Sequence, residues 1–467
     1  MAKQPPGNLQ AGMPGRIKGQ NMTKRRPISR RTALKVGAAA AALPLVHIRT
    51  AGAAGSLSVG VWDHWVPAGN DVMKKQVDAW AEKNKVEVKL DFINTLGNKH
   101  LITSAAEAQA KTGHDVLCFL QWDALNHSRL LEPMDDVMGR LTAKYGKVNQ
   151  ICEWLGKVDG QWRAVPSSHG SQNKGPCARI SMMKNFAGID LQAMYPTQVV
   201  QTELANQWTM EAHLKAAEAC HKAGFPFGIG IGTTGDSIDT AGAIFASFGA
   251  ELMNAKGEIT VDSDAVRQVL EYGHRLAKVL PPDAQSYDDA SNNKALIAGK
   301  SALIWNPPSA WAVARRDAPE VAADCWTFPT PTGPKGRFMP YVPFYWGVWQ
   351  FAKNKTAGKE LIEYLSEREQ AEPRTAATLG YDLPPFESMS NFKVWEETAP
   401  PKGTVFNYPT YGVHGAKPHI ACFPAPPEMA VQIYNRGVMP TMFAKMLSGT
   451  SVNDTIKWAK GELEGLR

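Results

Sequence analysis

The 467-residue sequence lacks four things that would settle a chemistry quickly. It has no His-Glu-x-x-His, and no two of its eleven His fall together on one face, so a zinc enzyme has no support. Its six Cys (Cys118, Cys152, Cys177, Cys220, Cys325 and Cys422) form no C-x-x-C pair and no zinc-finger spacing. No metal or cofactor is therefore expected. Past residue 53 it has no apolar run long enough to cross a bilayer. And its first 53 residues hold no Asp or Glu at all, against ten Lys or Arg. Removing them leaves 41 bases and 44 acids, so the formal +7 becomes about −3. The basic character belongs to the first segment, and a nucleic-acid partner is not expected.

That segment has its own grammar. Ser29-Arg30-Arg31-Thr32-Ala33-Leu34-Lys35 carries a twin arginine, then an apolar residue and Lys. Residues 36–46 are weakly apolar, too short to span a bilayer, and broken by Pro44. Ala51-Gly52-Ala53 fits a small-x-small cleavage site. The whole resembles a bacterial twin-arginine export signal, an address and not an anchor. Arg49 beside the cleavage site disfavours the general secretion route. The competing reading is a basic tail followed by an Ala-rich helix. Either Met1 or Met22 serves as the start, since 1–21 add nothing to the signal. No Cys follows the apolar run, which argues against a lipid anchor. The expectation is a soluble periplasmic monomer, folded before the twin-arginine translocase carries it. That compartment permits disulfides, but the spacing assigns none, and buried free thiols are the simpler reading.

The rest is organised around 158–179. Asp159-Gly160 marks a tight turn with apolar flanks, hence a short hairpin. The chain then runs through Ser167-Ser168-His169-Gly170-Ser171, poor in core formers. This reads as a crossing between two lobes, its side chains facing a cleft. Before it, strands are expected at 57–62, 86–93 and 115–120, with helices at 70–83 and 98–111. That alternation predicts a parallel sheet with covering helices, whose ligands sit beyond the strands' carboxyl ends. Those ends carry Trp62-Asp63-His64-Trp65 and Gln121-Trp122-Asp123. Three Trp beside polar groups point to a stacking site. After the crossing, helices are expected at 207–223, 240–248, 264–280, 292–299, 356–367, 429–447 and 452–466. Strands are expected at 226–231, 301–305 and 341–351, loops at 305–311 and 328–336. The Pro-rich 381–427 should run over the surface. No internal repeat is visible.

Several stretches, in order, resemble the extracellular solute-binding proteins of ABC importers, in the family that includes maltose- and other sugar-binding proteins. They are His114-Asp115-Val116 with Leu130-Leu131-Glu132-Pro133-Met134-Asp135, then Asp159-Gly160-Gln161-Trp162-Arg163-Ala164-Val165-Pro166. Ala298-Gly299-Lys300-Ser301-Ala302-Leu303, Pro329-Thr330-Pro331-Thr332-Gly333 and Ala357-Gly358-Lys359-Glu360-Leu361 follow. The resemblance implies an α/β, two-lobe periplasmic-binding-protein fold that closes by a hinge. Lobe one would hold 56–166 and 345–395. Lobe two would hold 167–340 and 396–467. It also implies a carbohydrate or polyol ligand, delivered to permease subunits, with no bond broken. Family members stack sugars on aromatics near the position of Trp311; Ser309 stands where a second aromatic often occurs. The candidate contacts are Trp62, His64, Trp65, Trp122, Asp123, His169, Asp236, Trp305, Trp311, Tyr345 and Trp346.

Two motifs compete. Gly230-Ile231-Gly232-Thr233-Thr234-Gly235 matches G-x-G-x-x-G, but lacks a βαβ return and a nucleotide supply after export. A flexible cleft loop, with Asp236 a contact, is the plainer reading. Asp135-Asp136 and Asp288-Asp289 could suggest a glycosidase, but adjacent residues diverge, and solvated surface is expected for both pairs. The alternatives left open are a binder of polyamine, peptide or organic anion, and an exported carbohydrate-active enzyme. A polyamine would need several cleft carboxylates, an anion a cleft rich in Arg.

Overall fold

A computed structural model describes residues 55–196, 202–397 and 416–466. The expected export leader lies outside these residues. Strands β1 (Ser56–Trp62), β2 (Glu87–Ile93) and β3 (Val116–Leu120) run parallel, in the order β2-β1-β3. Leu57, Val59 and Val61 alternate into the core, while Val116 to Phe119 are buried on both faces, as a covered parallel strand requires. The helix Pro67–Asn84 begins at a Pro, whose missing N–H costs nothing there, and buries Met73, Val77 and Trp80 on one side. β4 (Lys157–Val158) and β5 (Gln161–Trp162) form the expected hairpin. Asp159 (φ 51°) and Gly160 (φ 79°) make its turn.

The crossing strand β6 (Val165–Asn173) departs from expectation. All nine residues are buried, and of them only Gln172 lines the cavity described below. The reason is pairing. The Ser171 hydroxyl donates to the Ser167 carbonyl (2.6 Å) and accepts from the Phe344 N–H (2.8 Å). The Gly170 N–H donates to Asp382 Oδ1 (2.8 Å), and Arg374 donates to Ser168 Oγ (3.0 Å). Gly170 has φ 88°, and a Cβ there would lie 2.3 Å from the Phe344 ring. The cleft is reached by Gln172 and by Lys174, just beyond the strand's end.

β7 (Cys177–Arg179), β8 (Leu303–Ile304) and β9 (Cys325–Thr327) form a small antiparallel sheet, separate from the main one. β10 (Arg337–Val348) threads the molecule. Its end pairs antiparallel with β3, its middle with β6, and its start runs parallel to β11 (Ala416–His419). The β6 register shifts between Val342 and Phe344, at Pro343, which has no N–H for the ladder. Helices Lys355–Ser366 and Arg368–Ala377 pack with Pro67–Asn84 beside β6, while Gly235–Phe248, Asp264–Ala277 and Val438–Leu447 pack on one another.

Other differences have local causes. Residues 226–231 form no strand; Gly228 and Ile231 instead donate to the carbonyls of Leu303 and Ala284 (2.8 and 2.9 Å). The helix expected at 429–447 is two, Pro427–Asn435 and Val438–Leu447, divided at Gly437 (φ 58°). The described part of 381–427 is not surface. Leu383, Phe386, Met389 and Phe392 are buried, and β11 joins the main sheet. A Pro-rich chain packs its apolar residues without a repeat that periodicity could detect. The helices Asp135–Tyr145, Gln150–Gly156 and Arg368–Ala377 were not foreseen.

Candidate functional site

A cavity of ≈ 220 Å³ lies where the carboxyl ends of β1 and β3 meet the start of the helix Gly235–Phe248. The first side supplies Trp62, Trp65, His100, Gln121, Trp122 and Asp123. The crossing strands supply Gln172, Lys174, Val342 and Phe344, and the far side Asp236, Asp289, Asn306 and Tyr434. Contacts bridge the two sides. Gln121 Nε2 donates to Asp239 Oδ2 (3.1 Å), and the Trp122 and Tyr434 rings lie 5.7 Å apart. Gln121 holds a left-handed φ of 26°, a strained geometry for a side chain of this kind.

Of the eleven candidate contacts, Trp62, Trp65, Trp122, Asp123 and Asp236 line this cavity. His64, His169, Trp305, Trp311, Tyr345 and Trp346 do not. His64 turns away to Asp382 (3.0 Å), and its Nδ1 accepts the Val66 N–H (2.8 Å). His169 donates to the Trp62 carbonyl (3.0 Å) and stacks on Trp346 at 6.3 Å. Burial pulls its pKa to about 4. Tyr345 and Trp346 lie in β10 between β3 and β6, and the Tyr345 hydroxyl donates to the Cys152 carbonyl (3.2 Å). Trp305 donates to His213 (3.3 Å) in the interior. Trp311 packs in a separate apolar cluster with Leu296 and Ala314, the Arg315 guanidinium 5.3 Å from its ring.

The site's electrostatics centre on residues that sequence reading missed. Lys174 Nζ donates to Asp236 Oδ1 (2.5 Å) and Asp239 Oδ2 (2.9 Å). Burial opposes its charge, but the Asp236 and Asp239 carboxylates outweigh that and raise its pKa. Asp236 Oδ2 accepts from Asn292 (2.8 Å) and Asn306 (3.2 Å), and Asp239 Oδ1 from the Tyr434 hydroxyl (3.1 Å). Asp289 Oδ1 accepts the Asp236 N–H (3.2 Å). Burial, then the neighbouring Asp236 charge, push the Asp289 pKa up to about 6, with Lys174 opposing. The pair 288–289 is thus only half solvated surface. Asp288 is exposed and bonded to Ser291, while Asp289 turns into the cavity. Asp135 and Asp136 are both exposed, as expected. Asp239 sits one turn from Asp236 on the same helix, a spacing visible in the sequence; Tyr434 carried no such signal.

The glycine motif at 230–235 ends in this helix, capped by Thr234. Gly230 and Gly232 serve packing, since a Cβ at either would come within 2.6 Å of Ser237 Oγ or the Gln285 carbonyl. Asp236 and Asp239 fill the helix's first turns, where they repel a phosphate. Among the described residues no group of three or more His, Cys, Asp or Glu is placed to hold a metal ion.

Several buried polar atoms on the lining have no partner among the described residues: Trp62 Nε1, Trp122 Nε1, both His100 ring nitrogens, Asp123 Oδ2, Gln121 Oε1, Gln172 Oε1 and Asn306 Oδ1. Native interiors hold few such atoms, so their gathering on one cavity points to a hydrogen-bonding ligand. Trp62, Trp65, Trp122, Phe344 and Tyr434 add apolar ring faces beside them.

Residues 201–372 match the model of the family described as bacterial extracellular solute-binding protein. No curated protein matches in sequence. Among solved structures, the chain is similar to maltose-bound MalE3 of T. maritima, at 17% identity and TM-score 0.67, covering 89% of this chain and 100% of that one. A sugar transporter from Arthrobacter chlorophenolicus A6 with bound laminaribiose matches at 17% identity and TM-score 0.69, covering 88% and 100%. A solute-binding protein from Thermotoga lettingae with bound alpha-D-tagatose matches at 16% identity and TM-score 0.66, covering 88% and 99%. Sequence and fold point the same way: residues 201–372 match the bacterial extracellular solute-binding protein model, and the chain shares the two-lobe fold of these solved structures over most of its length.

Proposed function

We propose that the protein is the solute receptor of an ABC importer and captures a carbohydrate or polyol between its lobes. The observation that carries this is the cavity, where Trp ring faces stand beside buried polar atoms that have no protein partner among the described residues. Ring faces stack on the apolar sides of a sugar, and the orphan atoms take its hydroxyls. The solved structures of similar fold hold maltose, laminaribiose and tagatose, which supports the same ligand class here. The twin-arginine grammar at 29–35 supports export of the folded chain to the periplasm, where a monomer would meet the permease. Closing the lobes on ligand makes the closed state the one the permease reads.

No reaction follows from this geometry. Asp236 and Asp289 adjoin on one wall, joined through the Asp236 N–H, and do not flank a bond as glycosidase carboxylates must. Thermal unfolding against a panel of sugars, polyols, polyamines, amino acids and organic acids tests the reading. Ligand at about 100 times its Kd adds roughly 2.7 kcal/mol. That raises the midpoint by several degrees, at about 2–4 °C per kcal/mol. A sugar or polyol response supports the proposal. A response confined to the polyamines, amino acids or acids would refute the carbohydrate class, and sugar turnover would refute the absence of catalysis.

A further inference from the structure

The cavity is far more acidic than a neutral glycan needs. Asp123, Asp236 and Asp289 line it, and Asp239 stands directly behind. Among the described lining residues Lys174 is the one permanent cation, and its bonds go to Asp236 and Asp239. Asp289 is left with a carboxyl whose charge is opposed by its surroundings. Asp123 has His127 at 3.1 Å from Oδ1, but its Oδ2 is buried and unpartnered. The helix Gly235–Phe248 turns its N-terminus to the cavity, which offsets part of the Asp236 charge and reaches little further.

The hydrogen-bonding inventory leans the same way. Gln121 and Asn306 have committed their amide N–H groups to Asp239 and Asp236, so their free oxygens can only accept. With Asp123 Oδ2 and Gln172 Oε1 they make four orphan acceptors. The orphan donors are the two indole N–H groups of Trp62 and Trp122. His100, held neutral by burial with a pKa of about 4, adds one of each kind. A hydroxyl offers one donor and two acceptor lone pairs. An ammonium group has three donors and no acceptor, and it also favours aromatic faces.

We propose that the solute is a basic carbohydrate, an amino sugar whose protonated amine is held by the cavity carboxyls, Asp123 on the first side and Asp289 on the far side. This rests on the carbohydrate reading above and narrows it. Phosphorylated and uronic sugars are excluded by the same charges.

Calorimetric titration of the purified protein at pH 7.5 tests this with matched pairs. Glucosamine and its β-1,4-linked dimer are compared with glucose, cellobiose and the N-acetylated dimer; spermidine serves as a non-sugar amine. The expected result is binding of an amino sugar at least tenfold tighter than its neutral counterparts. Asp289→Asn and Asp123→Asn should each erase most of that preference while still unfolding cooperatively in urea. Two variants from different lobes guard against one failing to fold, and the wild-type comparison stands without either. A neutral counterpart binding as tightly overturns the amine claim and leaves the carbohydrate reading intact. Spermidine binding with no sugar response overturns both, as does no response to any compound. A preference that survives in both variants overturns the assignment of the amine to these two carboxyls.

Discussion

Two polar regions adjoin in this molecule and differ in one respect. In the crossing, His64, Ser168, His169, Arg374 and Asp382 are all buried, and each holds at least one hydrogen bond to another part of the chain. In the cavity, the indoles of Trp62 and Trp122 and the ring of His100 are just as buried and hold none. Trp62 belongs to both: its carbonyl serves His169, while its ring lines the cavity. Burial of polar groups therefore does not mark a site here. What marks the site is the gathering of several unpartnered polar atoms on one cavity, since the others, such as Trp311 Nε1, His169 Nδ1 and Asp382 Oδ2, do not line it.

The largest test of that contrast is Asp382→Ala. The His64–Asp382 pair is fully buried, and breaking such a pair costs roughly 3–5 kcal/mol. Urea unfolding should show that loss while the folded fraction keeps its ligand affinity; a change below about 1 kcal/mol would mean the crossing network is not structural. The pH dependence has a definite sign. His64 and the other partners outweigh burial and depress the Asp382 pKa in the folded state. Its contribution is present above the ordinary carboxylate value and is lost as pH falls through the depressed one. Next is Trp311→Ala, which removes a core indole from the satellite cluster. About 3–5 kcal/mol of stability should go, with Kd within twofold. Weaker binding at unchanged stability would return Trp311 to the site. Trp122→Phe keeps a ring and deletes an orphan donor, so Kd should rise about tenfold, near 1.4 kcal/mol. An unaltered Kd would show that the indole N–H meets no ligand.

A smaller effect sharpens the cavity side. Asp289 has its pKa raised to about 6, and Asp236, Asp239 and Lys174 are the charged groups around it. Below pH 6 it becomes neutral, so affinity for an amine should fall severalfold between pH 7.5 and 5. Titrations at both values decide; an affinity that holds steady would remove Asp289 from the ligand's field. The smallest effect concerns the thiols. All six are free and buried, so a thiol reagent should label none in the native protein and six in denaturant.

The fold was largely legible because β1, β2, β3 and their helices carry clean periodicities, and the ends of β1 and β3 named Trp62 and Trp122 directly. The crossing misled because Ser, His and Gly look solvent-seeking. Nothing in 158–179 shows that Asp382 and Arg374, some two hundred residues on, will satisfy them. Tyr345 and Trp346 are a converse case: the strand's aromatics look alike in the sequence, yet Phe344 lines the cavity while these two are buried away from it. Lys174, Asp239, Asp289 and Tyr434 meet only through tertiary structure, so their joint charge had no local signature.

The break in β10 has a mechanical consequence. Val342 and Phe344 flank Pro343, where the ladder to β6 slips, and both side chains line the cavity. A rod that passes through two bodies twists most readily where its bracing is interrupted. Here that weak point is also part of the floor on which the solute rests. A solute resting on Val342 and Phe344 would therefore brace β10 just where its own ladder does not.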